Sequence, residues 1–222
     1  MPEEPRSRSV EDYLKVIWTA GEWTGEPATT KAIAERLGIS ASSVSQRVRR
    51  LAAVGLVTHE SYGAIALTDA GAAVALQMVR RHRIIETFLV QRLGYGWDEV
   101  HDEAEVLEHA CSDRMIDALD VLLGHPDADP HGDPIPSRDG QPRGLSAVCA
   151  VDASPGDWAV ARVSDADPGT LRECAAHGLV PGARIVILDP DPDGAVRCRI
   201  GGADASSIPA ACAHALWLVE SR

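Results

Sequence analysis

The sequence predicts a mainly α-helical protein with a smaller β portion, and three observations give this fold class. Residues 30–57 have the pattern of two helices joined by a tight turn and followed by a strand, which indicates an N-terminal winged helix-turn-helix. Residues 70–124 show amphipathic helical periodicity. From residue 157 onward, short alternating runs are separated by glycine- and proline-rich turns, which is typical of a small all-β, barrel-like module.

Three helices and a hairpin are predicted in the N-terminal third. The hairpin follows in residues 56–67, around a turn at Tyr62-Gly63. Gly55 marks the end of the helix before it. The helices are expected over 8–20 with Ser9 as N-cap, over Thr30–Leu37, and from a cap at Ser40 or Ser42, after the turn at Gly38, to about Val54.

The third of these helices has the composition of a DNA-recognition helix. Val44, Val48 and Leu51 recur at helical spacing and are expected to face the core. The opposite face carries hydroxyl, amide and guanidinium groups, which suit base edges and phosphates in a major groove. A surface helix with solvated arginines is the alternative, but the hairpin that follows favours DNA binding. The residues expected to contact DNA are Thr30, Ser40, Ser42, Ser43, Ser45, Gln46, Arg47 and Arg50.

The charge distribution agrees with this interpretation, although the net charge of −12 at first argues against DNA. Residues 1–92 hold 12 basic and 10 acidic residues, whereas residues 93–222 hold 9 and 23. Nucleic-acid affinity depends on the local surface, so an acidic second half does not exclude it. Acidic groups beside histidines also suit a divalent cation.

A dense polar stripe predicts a metal site in the helices that follow. In the segment HDEAEVLEH, histidines and glutamates recur three and four residues apart and share one helix face. The preceding helix carries one more such pair. Two helices that each present histidine and carboxylate can enclose a divalent metal ion. A solvated face would be the simpler explanation for one residue alone, but not for six: His82, Glu86, His101, Glu105, Glu108 and His109.

The remaining segments complete the outline. The helices of the metal stripe are predicted over 70–93 and about 97–124, a loop or linker over 125–144, and a short helix near 168–177. The chain has no apolar run of about 18 residues and no signal-peptide pattern, so a cytoplasmic protein without membrane contact is expected. The five cysteines have no metal-binding spacing and are expected to be small buried residues.

Six ordered segments resemble the diphtheria toxin repressor family of metal-activated regulators, and the resemblance covers nearly the whole chain. It implies a homodimer that binds a pseudo-palindromic operator in double-stranded DNA and represses metal-uptake genes. It also implies a domain order of winged helix (1–74), helical dimerisation and metal-binding domain (75–143), linker (144–156) and SH3-like, FeoA-like domain (157–222). The segments are EDYLKVIW, TKAIAERL, SSVSQRVRRL, RRHRIIETFL, VHDEAEVLEH and GDPIP.

The resemblance also implies the metal ligands. For the ancillary site, the C-terminal domain adds a polar ligand from Asp165, Asp167 or Thr170, and we expect Asp167 first. The primary regulatory site is matched by Asp12, Glu105, Glu108 and His109, and the ancillary site by His82, Glu86 and His101.

The metal follows from the donor type. Iron-responsive members of the family have sulfur ligands at the positions of Asp12 and Glu105, whereas the manganese regulators have carboxylates there, as this chain does. Hard carboxylates suit Mn²⁺. We therefore expect a manganese sensor, with Fe²⁺, Co²⁺ or Cd²⁺ able to bind in vitro, and an iron-responsive regulator as the alternative. Lys15 replaces an acidic residue of the two-domain manganese regulators, which favours two separated sites over a dinuclear cluster.

One alternative from another class is a metallohydrolase or di-metal oxidoreductase built on the same helices. The chain has neither an HExxH motif nor an evident nucleophile–base pair. Such an enzyme would also have no need of a winged helix. The sequence therefore favours a regulator without catalytic residues.

Overall fold

A computed structural model describes residues 7–23, 25–59, 64–142, 144, 146–188 and 195–221. The chain divides into two compact units. The first is formed by residues 1–81 and 136–142, and the second by 82–135 and 143–222. In the described part of the chain, no helix is both long and apolar enough to cross a membrane.

The first unit has the predicted winged-helix architecture. Its core includes Leu14 of the first helix, Ile33 of the second and Val44 and Val48 of the third, all fully buried. The two strands pair antiparallel with Thr58 opposite Ala66, which confirms the hairpin, while the expected turn at Tyr62-Gly63 lies outside the described residues. The elements are α1 (Arg8–Gly21), α2 (Thr30–Leu37), α3 (Ala41–Ala53), β1 (Val57–His59) and β2 (Ile65–Leu67).

Caps and turns fix the helix boundaries in this unit. Gly38 ends α2 at a φ of +64°, a left-handed conformation that favours glycine. Ser40 begins α3, since its Oγ accepts the Ser43 N–H at 3.2 Å. The expected cap at Ser9 is wrong, because α1 begins at Arg8 with Ser7 at the N-cap position. Ser9 lies in the first turn of α1, where its Oγ accepts a hydrogen bond from Arg47.

The helical region contains one break that the periodicity of the sequence does not predict. A single helix over 97–124 was expected, but Cys111 is extended and Ser112 caps a new helix by accepting the Met115 N–H at 3.3 Å. The buried core of this region includes Ile84, Val100 and Ala104. The elements are α4 (Asp69–Phe88), which continues from the first unit into the second, a π-helical turn (Leu89–Leu93), α5 (Val100–Ala110) and α6 (Asp113–Leu122).

The segment expected as a loop or linker over 125–144 is packed in its first half. His131 is 1% exposed, and its carbonyl accepts the Val163 N–H at 2.9 Å. Gly132 has a φ of +91°, and a Cβ there would overlap the carbonyl oxygen of Ala161. Glycine is therefore required both for the turn and for the close approach to the C-terminal module. The first half of this segment is therefore a packed loop, as one of the two alternatives had it, and not a linker.

The C-terminal module is an antiparallel sheet with two short helices. Its described strands are ordered β3-β8-β4-β5-β6-β7, and Val163, Leu171 and Leu216 lie in its core with the buried Cys174, Cys198 and Cys212. The range 144–156, expected as linker, contains β3 and a 3₁₀ turn at Ala150–Asp152. The elements are β3 (Val148–Cys149), β4 (Gly156–Val163), α7 (Pro168–Ala176), β5 (Arg184–Ile187), β6 (Arg197–Ile200), β7 (Ser206–Ser207), α8 (Ala210–Ala215) and β8 (Leu216–Glu220).

Candidate metal centre

The imidazole of His82 lies at the centre of a buried polar cluster in the second unit. Its Nδ1 is 2.6 Å from Glu108 Oε2 on α5. Its Nε2 is 2.9 Å from Glu86 Oε1, one turn further along α4, and 3.2 Å from His101 Nδ1 on α5. The spacing of four residues between His82 and Glu86 places both side chains on one helix face, as the sequence indicated.

His101 extends this cluster toward the C-terminal module. Its Nδ1 is 3.5 Å from Glu86 Oε1 and 3.3 Å from Asp165 Oδ2, in the segment that follows β4. Its Nε2 is 3.5 Å from Glu105 Oε1, one turn along α5. Two helices and one segment after a strand thus present nitrogen and oxygen donors to the same volume.

His131 joins the cluster, although no pattern in the sequence predicts it. Its Nε2–H donates to the Trp97 carbonyl at 2.6 Å, so in the neutral ring Nδ1 carries the lone pair. This Nδ1 is 3.8 Å from Glu86 Oε2. The His131 N–H donates to Asp129 Oδ1 at 2.8 Å, and the ring stacks on that of Trp97. The residue directly precedes the family-like segment GDPIP, but no helical spacing marks it in the sequence.

These donors suit a divalent cation. Glu86 Oε1 has ion-pair contacts with His82 and His101 but no well-aligned hydrogen bond, and the buried His131 Nδ1 has no hydrogen bond either. Buried polar atoms are normally paired, so a ligand that accepts lone pairs would satisfy both. Within each of three sets, the donor atoms lie within 4.8 Å of one another: His82, Glu86 and His101; His82, Glu105 and Glu108; Glu86, His131 and Asp165.

The pKa values of the cluster also indicate a site for a divalent cation. Burial raises the pKa of Glu86, but the charge of His82 and the contacts with His101 and His82 lower it, and the net pKa lies well below the ordinary value. Burial lowers the pKa of His101, whereas contacts with Asp165 and Glu86 raise it to about 9. A protonated His101 therefore supplies positive charge beside these carboxylates, and a bound divalent cation can take its place.

The aspartates after β4 divide between two roles. Asp165 Oδ2 reaches His101, as one of the candidates named from the sequence. The structure does not bring Asp167, the first choice, to this cluster. Its Oδ2 instead accepts the N–H of Thr170 at 2.8 Å and the hydroxyl of Thr170 at 2.7 Å, which makes it the N-cap of α7. Thr170 is thereby engaged in the cap as well.

A network of charged side chains holds the ligands on the C-terminal side. Arg162 of β4 places its Nε 2.7 Å from Asp133 Oδ1 and its Nη2 3.9 Å from Asp165 Oδ1. Arg83 lies 3.4 Å from Asp133 Oδ1 and 3.6 Å from Asp129 Oδ2. Burial raises the pKa of Asp129 well above its ordinary value, and the charge of Asp133 raises it further. The network ties the segment around His131 to β4.

The remaining predicted ligands lie in both units. On α5, Glu108 is fully buried and its Oε1 is 3.5 Å from His109 Nε2. Asp12 and Lys15 lie on α1 in the first unit, where Asp12 is half-buried and Lys15 is buried. The expected participation of Asp12 in one site with Glu105, Glu108 and His109 stays a prediction.

The predicted DNA-contacting residues also divide. Ser42, Ser43, Gln46 and Arg50 are exposed on α3, where a groove-binding helix would present them. The other four residues either make hydrogen bonds within the protein or are partly buried. Ser40 caps α3, Ser45 Oγ donates to the Ala41 carbonyl at 2.9 Å, Thr30 is the half-buried first residue of α2, and Arg47 Nη2 donates to Ser9 Oγ.

Family models agree with this division of the chain. Residues 7–65 match the N-terminal DNA-binding domain of iron-dependent repressors, and residues 68–137 match their metal-binding and dimerisation domain. Residues 153–220 match the FeoA domain. A winged helix followed by a buried histidine–carboxylate cluster thus defines a metal-dependent, DNA-binding repressor.

Individual relatives lead to the same family. The iron-dependent repressor IdeR of Mycobacterium leprae is 31% identical over 94% of this chain and 95% of its own length. A solved manganese-dependent transcriptional repressor in complex with manganese is 49% identical, with a TM-score of 0.89 over 96% of this chain and 100% of that one. The manganese regulator SloR is 33% identical, with a TM-score of 0.80 over 96% and 98% of the two chains.

The chain belongs to the diphtheria toxin repressor family. It is a metal-dependent transcriptional repressor that binds DNA, and its metal-binding and dimerisation domain implies a homodimer. The relatives and structural neighbours named here are repressors, not enzymes, so the di-metal enzyme considered from the sequence is set aside.

Proposed function

We propose that this protein is a manganese-responsive repressor of metal-uptake genes. The observation that carries the proposal is the pair of carboxylates at Asp12 and Glu105, where iron-responsive members of the family have sulfur ligands. Carboxylates are hard donors and suit Mn²⁺, while thiolate and thioether donors move selectivity toward later metals. The solved repressor with bound manganese, 49% identical to this chain, supports the same metal.

For the ligand sets, we propose two separated sites. The primary site keeps the ligands implied by the family resemblance, Asp12, Glu105, Glu108 and His109. The ancillary site combines His82, Glu86 and His101 with Asp165, in place of Asp167, and with His131. Two observations support this ancillary site: Asp165 contacts His101 at 3.3 Å, and the Nδ1 of His131 has no hydrogen-bond partner. A buried Lys15 on α1 favours this arrangement over a dinuclear cluster, since a protonated lysine cannot ligate.

Regulation then takes the form of linked binding equilibria. A metal ion that binds one arrangement of the protein better than another shifts the population toward it, and DNA affinity rises by the same coupling. A homodimer presents two copies of α3, so its operator should be pseudo-palindromic. The exposed Ser42, Ser43, Gln46 and Arg50 are the side chains proposed to contact it.

The test compares operator binding with Mn²⁺ and with Fe²⁺ under anaerobic conditions. DNA from the promoter region of the protein's own gene serves as probe, with fluorescence anisotropy as readout and a chelator as the metal-free reference. We expect Mn²⁺ to activate binding at lower free concentration than Fe²⁺. Equal or stronger activation by Fe²⁺ at cytosolic free concentrations would overturn the manganese assignment.

An iron-responsive regulator is the second candidate, and a specific similarity favours it. The iron-dependent repressor of Mycobacterium leprae matches this chain over nearly its full length at 31% identity. The same titration decides between the two metals. Activation by neither metal would contradict both candidates.

A further inference from the structure

Arg47 of the recognition helix α3 points toward helix α1. Its Nη2 donates to Ser9 Oγ at 2.7 Å. Its Cζ lies 5.6 Å from the centre of the Tyr13 ring, within the range of a cation–π contact. The side chain is half-buried, whereas Gln46 and Arg50 on the same helix are exposed.

The contact lies near a proposed metal ligand on α1 and near the proposed DNA-contacting residues on α3. On α1, Ser9 and Tyr13 are four residues apart and share a face, and Asp12 lies directly beside them, three residues after Ser9. On α3, Arg47 is one turn after the exposed Ser43 and three residues before the exposed Arg50. One guanidinium group thus joins the helix of a proposed metal ligand to the helix proposed to read DNA.

We propose that Arg47 is a positioning residue that transmits metal binding from α1 to the recognition helix. This inference rests on the proposed function, in which Asp12 ligates the metal. In this scheme, metal binding fixes α1 through Asp12. Arg47 then fixes α3 relative to α1, because it donates a hydrogen bond to Ser9 and stacks on Tyr13. Arginine suits this role because its planar group can donate a hydrogen bond and stack on a ring at once, which lysine does not reproduce.

The opposing hypothesis is that Arg47 contacts a DNA phosphate, and salt dependence separates the two. Loss of one phosphate contact lowers the slope of log affinity against log salt by about one, and weakens binding with and without metal. Loss of a positioning contact leaves that slope unchanged. It lowers the ratio of operator affinities with and without Mn²⁺, here called the metal stimulation.

The experiment uses the full-length protein with the operator DNA of the wild-type assay, titrated with and without Mn²⁺ at several salt concentrations. Arg47→Ala and Arg47→Lys should each lower the metal stimulation about three- to tenfold, because they remove the hydrogen bond and the ring contact, and Ser9→Ala about threefold, because it removes the hydrogen bond alone. The double variant S9A/R47K should fall no further than R47K alone, since the Ser9 hydrogen bond is already lost in R47K. The salt slope should stay at the wild-type value.

Arg50→Ala is the matched control on the same helix. It should lower the salt slope by about one and keep the metal stimulation. Mn²⁺ binding to each variant, measured by electron paramagnetic resonance, and its melting temperature establish that the variant is folded and loads metal. Wild-type stimulation in R47K and S9A, or a salt slope reduced by about one in R47A, would overturn the inference. A wild-type protein that Mn²⁺ does not stimulate would instead overturn the proposed function.

Discussion

His82 Nδ1 lies 2.6 Å from Glu108 Oε2, while the opposite nitrogen of the same ring lies 2.9 Å from Glu86 Oε1. Glu108 is proposed for the primary site and Glu86 for the ancillary site. A single imidazole ring therefore separates the two ligand sets and touches both. A change in the orientation of this ring should therefore alter the ligand geometry at both sites.

Replacement of His82 should therefore weaken both proposed sites. In His82→Gln, the ancillary site loses a ligand and Glu108 loses its partner, so we expect Mn²⁺ affinity to fall at least about tenfold. Titration of free Mn²⁺ by electron paramagnetic resonance gives the number and affinity of bound ions. His125→Gln is the control, because that exposed histidine pairs with Asp120 away from the cluster. Unchanged binding of both ions in H82Q would contradict the arrangement.

The two aspartates after β4 provide a second test. Asp165→Asn should weaken the ancillary site, because an amide is a poorer ligand than a carboxylate for a divalent ion. Asp167→Ala should leave Mn²⁺ binding unchanged and lower the melting temperature, since it removes the N-cap of α7. Calorimetric titration with Mn²⁺ and a thermal melt of each variant measure both effects. The reverse pattern would restore Asp167 as the ligand.

Metal selectivity should follow the donor at position 12. In Asp12→Met, a hard oxygen donor is replaced by a soft thioether, so the response should shift from Mn²⁺ toward Fe²⁺ or later metals. Glu105→Ala should instead weaken activation by all metals, because a ligand is lost without a substitute. Operator binding measured by fluorescence anisotropy with each metal in turn tests both variants. An unchanged metal ranking in D12M would refute the assigned role of Asp12.

Gly132 should be one of the most sensitive positions for stability in the second unit. Gly132→Ala places a methyl group into the Ala161 carbonyl at a φ of +91°, and we expect a loss of more than about 3 kcal/mol. Gly140→Ala is the matched control, with a φ of +70° and open space around its Cβ, and should cost about 1 to 2 kcal/mol. Urea denaturation of both variants measures the difference. Equal losses would show that the close approach to β4 is relaxed in solution.

Periodicity predicted most of the fold because the helices are amphipathic, with apolar residues on one face. Val44, Val48 and Leu51 recur at helical spacing and are buried, so α3 was visible in the sequence. The break between α5 and α6 was missed since the apolar period continues across it. Only the capping potential of Ser112 marks the break, and a serine has that potential in many positions where it caps nothing.

The site was predictable where its ligands repeat along a helix. His82, Glu86 and His101 follow helical spacing, and the structure brings them together. His131 and Asp165 lie in segments without such a period, so their position depends on tertiary packing. The turn at Gly132 and the carbonyl of Trp97 orient His131, and neither leaves a local pattern in the sequence.

The exposure of the ligands is graded across the cluster. Side chains of His101 and Glu105 are 31% and 36% exposed, whereas those of Glu86 and His131 are 1% exposed. An ion that enters from water would therefore meet His101 and Glu105 before the more deeply buried donors. Release would follow the same path in reverse and would require local opening of the protein around the buried donors. We therefore expect the lifetime of the metal-loaded state to depend on this local opening, so that the repressor would respond slowly to a brief fall in metal supply.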